Sequence, residues 1–295
     1  MTGKATRIFH PLRFCAPALI LLACASAAFS QGALQQTVQD VEARLGGRIG
    51  YAMTDLNSGQ DWGYKADDRF PMSSTFKALL CGVILARVDA GEESLDRRIA
   101  FTADDLVTYS PVTETHVDTG MTVGELCRAA ITISDNTAGN LLLATVGGPR
   151  GFTASLRDIG DATTRLDRWE TALNESTPGD MQDTTTPRAA LATLHALLFG
   201  DTLKTASRQQ LVDWMIADAV ADDLLRASLP DGWVIGDKSG AGGHGSRSII
   251  AVIWPSPDHP VLAAIYMTGN DADMALRNAA IAEIGAGMVA ALQAD

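Results

Sequence analysis

Arg247-Ser248-Ile249-Ile250-Ala251-Val252-Ile253-Trp254 and Val261-Leu262-Ala263-Ala264-Ile265-Tyr266-Met267-Thr268 are two apolar runs joined by Pro255-Ser256-Pro257-Asp258. They read as neighbouring strands with a hairpin loop between them. A third run, 233–239, precedes them, and two more strands are predicted far upstream, at 48–55 and 61–65 around Asn57-Ser58-Gly59. From 71 to about 200 the periodicity is helical instead, broken by loops. A helix is also predicted over 34–45, where Leu34, Val38, Val41 and Leu45 share one side before Gly46-Gly47 stops it. A long Ala-rich helix follows over 271–292. Strands at both ends with helices between them predict an α+β chain: an antiparallel sheet flanked by helices from both chain ends, plus an all-helical domain. The expected division is 31–66 with 217–295 as a discontinuous α/β domain and 67–216 as the helical one. The cleft between them is where a site is expected.

The chain has 295 residues, 46% hydrophobic and 20% charged, which is the composition of a folded globular protein. Its formal charge is −12. Lys4, Arg7 and Arg13 stand in the first thirty residues, which hold no acid, so the remainder carries 20 basic residues against 35 acidic ones. A body this acidic repels phosphate backbones, which argues against nucleic acid as a partner and leaves room only for a local basic spot. The three basic residues precede an apolar run over 14–24 and then Ala28-Phe29-Ser30, the order of an export signal cleaved before Gln31. The run is short for a membrane span. Residues 1–30 are therefore assigned as a signal peptide and the protein as exported, most simply to the periplasm. Lipoprotein anchoring through Cys24, after Leu21-Leu22-Ala23, ranks second because Leu22 is less usual at such sites. Export leaves Cys81 and Cys127 in an oxidising compartment, where an even pair favours a disulfide over two buried thiols. In the chain-entropy description that bridge contributes about 4 kcal/mol.

The body holds just four lysines, Lys65, Lys77, Lys204 and Lys238. Lys77 stands three residues after a serine, in Ser74-Thr75-Phe76-Lys77, and is the sole charge between Arg69 and Arg87. A helix starting near Ser74 would place both residues on one face, a turn apart. A lysine in so apolar a helix is desolvated, which lowers its pKa and suits it to act as a base. Ser74, near free N–H groups at the helix start, would help to stabilise an oxyanion. Taken alone, the tetrapeptide is equally a helix cap followed by a lysine that reaches for solvent. Three further segments bear on the choice. Ser134-Asp135-Asn136 lies between helical stretches and could simply be an N-cap cluster. Lys238-Ser239-Gly240 ends a strand and could simply lead into a turn. Arg168-Trp169-Glu170-Thr171-Ala172-Leu173-Asn174 could be a solvated loop.

Together and in this order, the four segments resemble the class A serine β-lactamases, whose motif set is S-x-x-K, S-D-N and K-T-G. Ser239 stands where the last motif has Thr and keeps the hydroxyl. The resemblance extends through Tyr109-Ser110-Pro111-Val112-Thr113-Glu114, Arg165-Leu166-Asp167-Arg168-Trp169-Glu170, Asp183-Thr184-Thr185-Thr186-Pro187 and Ile281-Ala282-Glu283-Ile284-Gly285-Ala286, and so covers the chain after its leader. It implies hydrolysis of the β-lactam ring of penicillin- and cephalosporin-type antibiotics through a serine acyl-enzyme, with resistance as the outcome.

The resemblance also implies roles. Ser74 is the nucleophile, Lys77 and Glu170 are the two candidate bases for acylation, and Ser134 passes a proton to the lactam nitrogen. The N–H groups of Ser74 and Ala241 form the oxyanion hole. Lys238, Ser239 and Arg247 anchor the substrate carboxylate. Asn136 bonds the acylamide, Tyr109 forms an apolar wall, and Asn174 helps Glu170 to hold the deacylating water. The loop around Glu170 is expected to carry an Arg168–Asp183 ion pair and a cis peptide between Glu170 and Thr171, where relatives commonly have Pro. The expected partners are small-molecule β-lactams alone, with no cofactor, a monomeric protein and no membrane span. No metal is expected, since His116, His195, His244 and His259 form no zinc-binding spacing. Arg247, Gly242 and Gly243 are compatible with a penicillin-preferring enzyme. Ser73 and Gly242 cannot form the extra disulfide of some carbapenem-hydrolysing relatives. A D,D-peptidase and an acylated β-lactam sensor are the competing readings; the Glu170…Asn174 pairing speaks against the first. A sensor would be expected to carry a membrane segment and a signalling region, and neither appears.

Overall fold

The two ends of the chain meet in one sheet. In the computed structural model, which describes residues 2–3 and 18–294, five antiparallel strands lie in the spatial order Asp61–Tyr64, Arg48–Asp55, His259–Thr268, Arg247–Ser256, Val234–Ala241. The first strand of the chain pairs with the last, from Arg48 opposite Thr268 to Asp55 opposite Val261. Lys4, Arg7, Arg13 and Cys15 lie outside the described residues, as does the side chain of Cys24, so the signal-peptide and lipid-anchor expectations fall there too.

The apolar runs are nearly continuous because both faces of the sheet are covered. Ile249, Ala251 and Ile253 point to one side with Val261, Ala263, Ile265 and Met267, against Leu34, Val38 and Val41 of helix α1 (Ala18–Leu45) and Ile281, Ile284 and Met288 of α8 (Met274–Gln293). Ile250, Val252, Leu262, Ala264 and Tyr266 point to the other side, into a core shared with the helical segment. By length and composition α8 could cross a bilayer; here its apolar residues are those that close the sheet's outer core. Six helices make up the middle of the chain: α2 (Phe76–Asp89), α3 (Val123–Thr132), α4 (Asn136–Thr145), α5 (Gly148–Asp158), α6 (Pro187–Leu198) and α7 (Thr205–Ile216). α2 is buried on every side from Phe76 to Leu85, Lys77 included, as a helix that is apolar all round must be. A Cβ on Gly82 would lie 2.5 Å from Leu197 Cδ1, so this glycine sets how closely α6 approaches.

Three expectations need correction. Ser74 does not open an α-helix: Ser73–Thr75 form a 3-10 turn, and α2 begins at Phe76. The hairpin loop is shorter than expected, because pairing continues past a bulge after Ile253 to Ser256 opposite His259. Cys81 and Cys127, expected to be bridged, are free thiols in the structure. Both are fully buried, and burial pushes the Cys127 thiol well above its ordinary value. The helices α2 and α3 supply the proximity, and forming the bond requires an oxidant.

Candidate active site

Lys77 organises the site. Its side chain is 0% exposed, yet its ammonium reaches four oxygens: Ser74 Oγ at 3.1 Å, the Ser134 carbonyl at 2.8 Å, Asn136 Oδ1 at 2.6 Å and Glu170 Oε1 at 3.0 Å. Burial pushes the Lys77 pKa below that of an ordinary lysine, while the Glu170 carboxylate beside it pulls the other way. The tight turn before α2 brings Ser74 within reach of this amine, and Ser74 itself is buried to 8% exposure.

Ser134, Asp135 and Asn136 divide the work of one short connection. Ser134 has φ +62, an unusual backbone conformation for a residue other than glycine, and this turn precedes α4. Asp135, fully buried, caps α4 through Ala138 N–H and accepts from Val112 N–H, Thr113 N–H and the Thr113 hydroxyl. Asn136 accepts from Lys77 and donates to the Thr108 carbonyl at 2.8 Å. Its own N–H goes to the carbonyl of Tyr109, which stands exposed at the rim.

Glu170 lies on the opposite wall, its side chain 0% exposed. The peptide bond between Glu170 and Thr171 is cis, as the resemblance implied. Asn174 Nδ2 donates to Glu170 Oε2 at 2.6 Å. Asn140, one helical turn beyond Asn136 on α4, grips the main chain on both sides: its Oδ1 accepts from Glu170 N–H at 2.9 Å, and its Nδ2 donates to the Glu170 carbonyl at 3.0 Å. The base of the loop is tied by Arg168, which pairs with Asp183 as expected and also with Asp180 at 3.1 Å and Glu175 at 2.9 Å. Beyond the Lys77 contact, Glu170 Oε1 has no donor among the described residues, and the side-chain amide oxygen Oδ1 of Asn174 has none either.

The strand Val234–Ala241 forms the third wall. A Cβ on Gly240 would lie 2.9 Å from the Met72 carbonyl and 3.0 Å from the Ser74 nitrogen, so only glycine lets the strand run this close to Ser74. Ala241 follows it and stands opposite Arg247 in the ladder. Lys238 is 0% exposed and donates to the Ser239 carbonyl at 2.8 Å; burial is the main cause that brings its pKa down to about 8. Arg247 donates to the Gly240 carbonyl at 3.0 Å and to Asn278 Oδ1 at 2.8 Å, and burial lowers it to about 10. Ser239 is buried beside them. Thus Ser74, Lys77, Ser134, Asn136, Glu170 and Asn174 form one bonded cluster. Lys238, Ser239, Ala241 and Arg247 form a cationic patch joined to it at Gly240, and Tyr109 stands at the rim.

Two residues escaped the sequence reading, Asn140 and Asn278. The first carried a signal, its i+4 spacing from Asn136. The second had none, because its partner lies on a strand 31 residues away. His195 and His244 are exposed, and His259 Nε2 lies 3.0 Å from Asp55 Oδ1.

A serine hydroxyl beside a buried amine, a carboxylate across from it and a cationic patch alongside are the groups that serine acyl transfer requires. The model of the β-lactamase enzyme family matches residues 33–292. Among solved structures, the reconstructed last common ancestor of Gram-negative bacteria β-lactamase class A is 57% identical, covering 88% of this chain and 99% of that one with a TM-score of 0.87. A putative class A β-lactamase, PenP from Rhodopseudomonas palustris, is 52% identical, covering 88% and 99%, with a TM-score of 0.86. The chain belongs to the class A β-lactamases, hydrolases of the β-lactam ring.

Proposed function

We propose that the site hydrolyses penicillins and cephalosporins in two steps, with the roles divided as follows. Ser74 attacks the lactam carbonyl and becomes the acyl ester, giving up its proton toward Lys77 or, through water, Glu170. The N–H groups of Ser74 and Ala241 hold the oxyanion, and Ser134 returns a proton to the ring nitrogen as the C–N bond breaks. Lys238, Ser239 and Arg247 draw in the substrate carboxylate. Asn136 and Tyr109 receive the acylamide side. Glu170 and Asn174 then activate the water that cleaves the ester. The observation that carries this reading is the single ammonium of Lys77 lying between Ser74 Oγ and Glu170 Oε1. The cleft lies between a domain of residues 31–66 and 217–295 and one of 67–216, a division supported by the two cores on opposite faces of the sheet. A chromogenic cephalosporin in large molar excess tests the proposal: it should be consumed continuously. A single burst equal to the enzyme concentration would point instead to a penicillin-binding enzyme or sensor.

The same reading makes the protein an exported monomer. The intact mass of the protein recovered from the exported fraction reports the export step. The expected mass corresponds to a chain starting at Gln31. A chain retaining the leader would refute it.

A further inference from the structure

The turn that carries Ser74 is bent against local preference. Ser73 has φ +44, in the left-handed region that residues other than glycine seldom occupy, and it is buried. Such a conformation persists where its surroundings hold it from several sides. The holding point is the carbonyl of Met72, which accepts from Thr75 N–H at 3.2 Å, Thr75 Oγ1 at 2.7 Å and Ser248 Oγ at 3.2 Å. The Met72 N–H goes to the Asp183 carbonyl at 3.0 Å. Thr75 gives its one hydroxyl proton to Met72, so in the 3.3 Å contact between Thr75 Oγ1 and Tyr266 Oη the tyrosine is the donor. Burial pushes the Tyr266 hydroxyl well above the ordinary tyrosine value, which keeps that proton in place.

The two outer hydroxyls belong to one row of the sheet. Ser248 stands opposite Tyr266 in one ladder and opposite Gly240 in the next. At Gly240 a Cβ would lie 2.6 Å from Ser248 Oγ, 2.9 Å from the Met72 carbonyl and 3.0 Å from the Ser74 nitrogen, so the row meets the turn at this point. Ala241 follows directly on the same strand. Of the two N–H groups that hold the oxyanion, one therefore belongs to the turn and the other to the strand, and any slip of the turn along the row changes their spacing. We propose that Ser248 and Tyr266 are positioning residues: their hydroxyls pin the Ser73–Thr75 turn to the sheet and so fix the Ser74 N–H relative to the Ala241 N–H. That role rests on the reading of these two N–H groups as the oxyanion hole. Ser248 acts on the Met72 carbonyl directly, and Tyr266 acts through Thr75.

Infrared difference spectra of the acyl-enzyme test this role. Benzylpenicillin labelled with carbon-13 at its lactam carbonyl is mixed with Glu170→Gln, in which the ester is expected to persist. Hydrogen bonds to the ester oxygen lower its carbonyl stretch, so the band reports how well the two donors are placed. Adding Ser248→Ala should move the band to higher wavenumber. Adding Tyr266→Phe should move it less, because Thr75 keeps its own bond to Met72. With Glu170 intact, kcat should fall as well: losing an oxyanion-hole donor outright costs about 10²–10³-fold, so a displaced one should cost about tenfold for benzylpenicillin, with KM changing much less. Ser207→Ala controls for general loosening. Its hydroxyl is also buried and donates to Asp89 Oδ1 at 2.7 Å, joining α7 to α2, and its loss should leave both band and kcat in place. An ester band at one position with and without Ser248→Ala overturns the positioning role, and so does a Ser207→Ala variant that shifts it equally. No ester band in Glu170→Gln itself refutes the acyl-enzyme reading and takes the positioning role with it.

Discussion

Replacing Glu170 by Gln is expected to stop the reaction after its first half. The side chain keeps its size, and the Asn174 amide can still donate to the remaining carbonyl oxygen, but no group is left to take a proton from water. General-base catalysis contributes about 10²–10⁴-fold, so kcat should fall by that order while the acyl ester accumulates. Stopped-flow absorbance with a chromogenic cephalosporin would show one rapid turnover per enzyme and then a slow steady rate. Equal falls in burst and steady rates would assign Glu170 to acylation as well, and an unchanged steady rate would remove it from the mechanism. The loop makes this prediction sharp. Asn140 clasps the main chain of Glu170 on both sides, and Arg168 ties the loop's base to Asp183, Asp180 and Glu175. The substitution therefore changes the chemistry of a held side chain, not its position.

Lys77→Met should act earlier. Methionine fills a similar volume in the apolar helix but removes the amine from between Ser74 Oγ and Glu170 Oε1. Activation of a serine by a neighbouring base is worth about 10²–10⁴-fold, so acylation should slow by that order. In the parent, burial lowers the Lys77 pKa from the ordinary lysine value of 10.5, which favours the neutral amine that can accept a proton. A rise of kcat/KM with pH that reflects this ionisation should be present in the parent and absent in Lys77→Met. If the variant keeps the same pH limb, the limb belongs to another group, with Glu170 as the alternative base. Because the substitution also leaves Glu170 without its cation, thermal unfolding should accompany the kinetics. Breaking a buried pair costs about 3–5 kcal/mol unless the orphaned group takes up a proton.

The sheet was legible because its strands obey a simple rule: a run covered on both faces is apolar at every position, and turn formers mark its ends. The strand 48–55 matched its sequence reading residue for residue, and 61–65 and 261–268 were off by one or two residues at their ends. The helix through Lys77 was legible as apolar, but its start was not. Ser73-Thr75 form a 3-10 turn set by packing against Met72 and the strand at Gly240, contacts that no local propensity encodes. In the site, the residues with chemical character were visible: a lone lysine in an apolar helix, a Glu and Asn four apart, and a Lys-Ser-Gly strand end. Those whose work is to hold others were not. Asn140 and Asn278 look like any polar residue on a helix until the loop and strand they bind are folded against them.

On the proposed roles, one serine, Ser74, is acylated and Glu170 releases it. Intact-protein mass spectrometry of Glu170→Gln mixed with benzylpenicillin, followed by peptide mapping, addresses it directly. One added penicillin per chain is expected, carried on the peptide containing Ser74 and persisting far longer than in the parent. An adduct on another residue, or none in a variant that still turns over substrate, would contradict it.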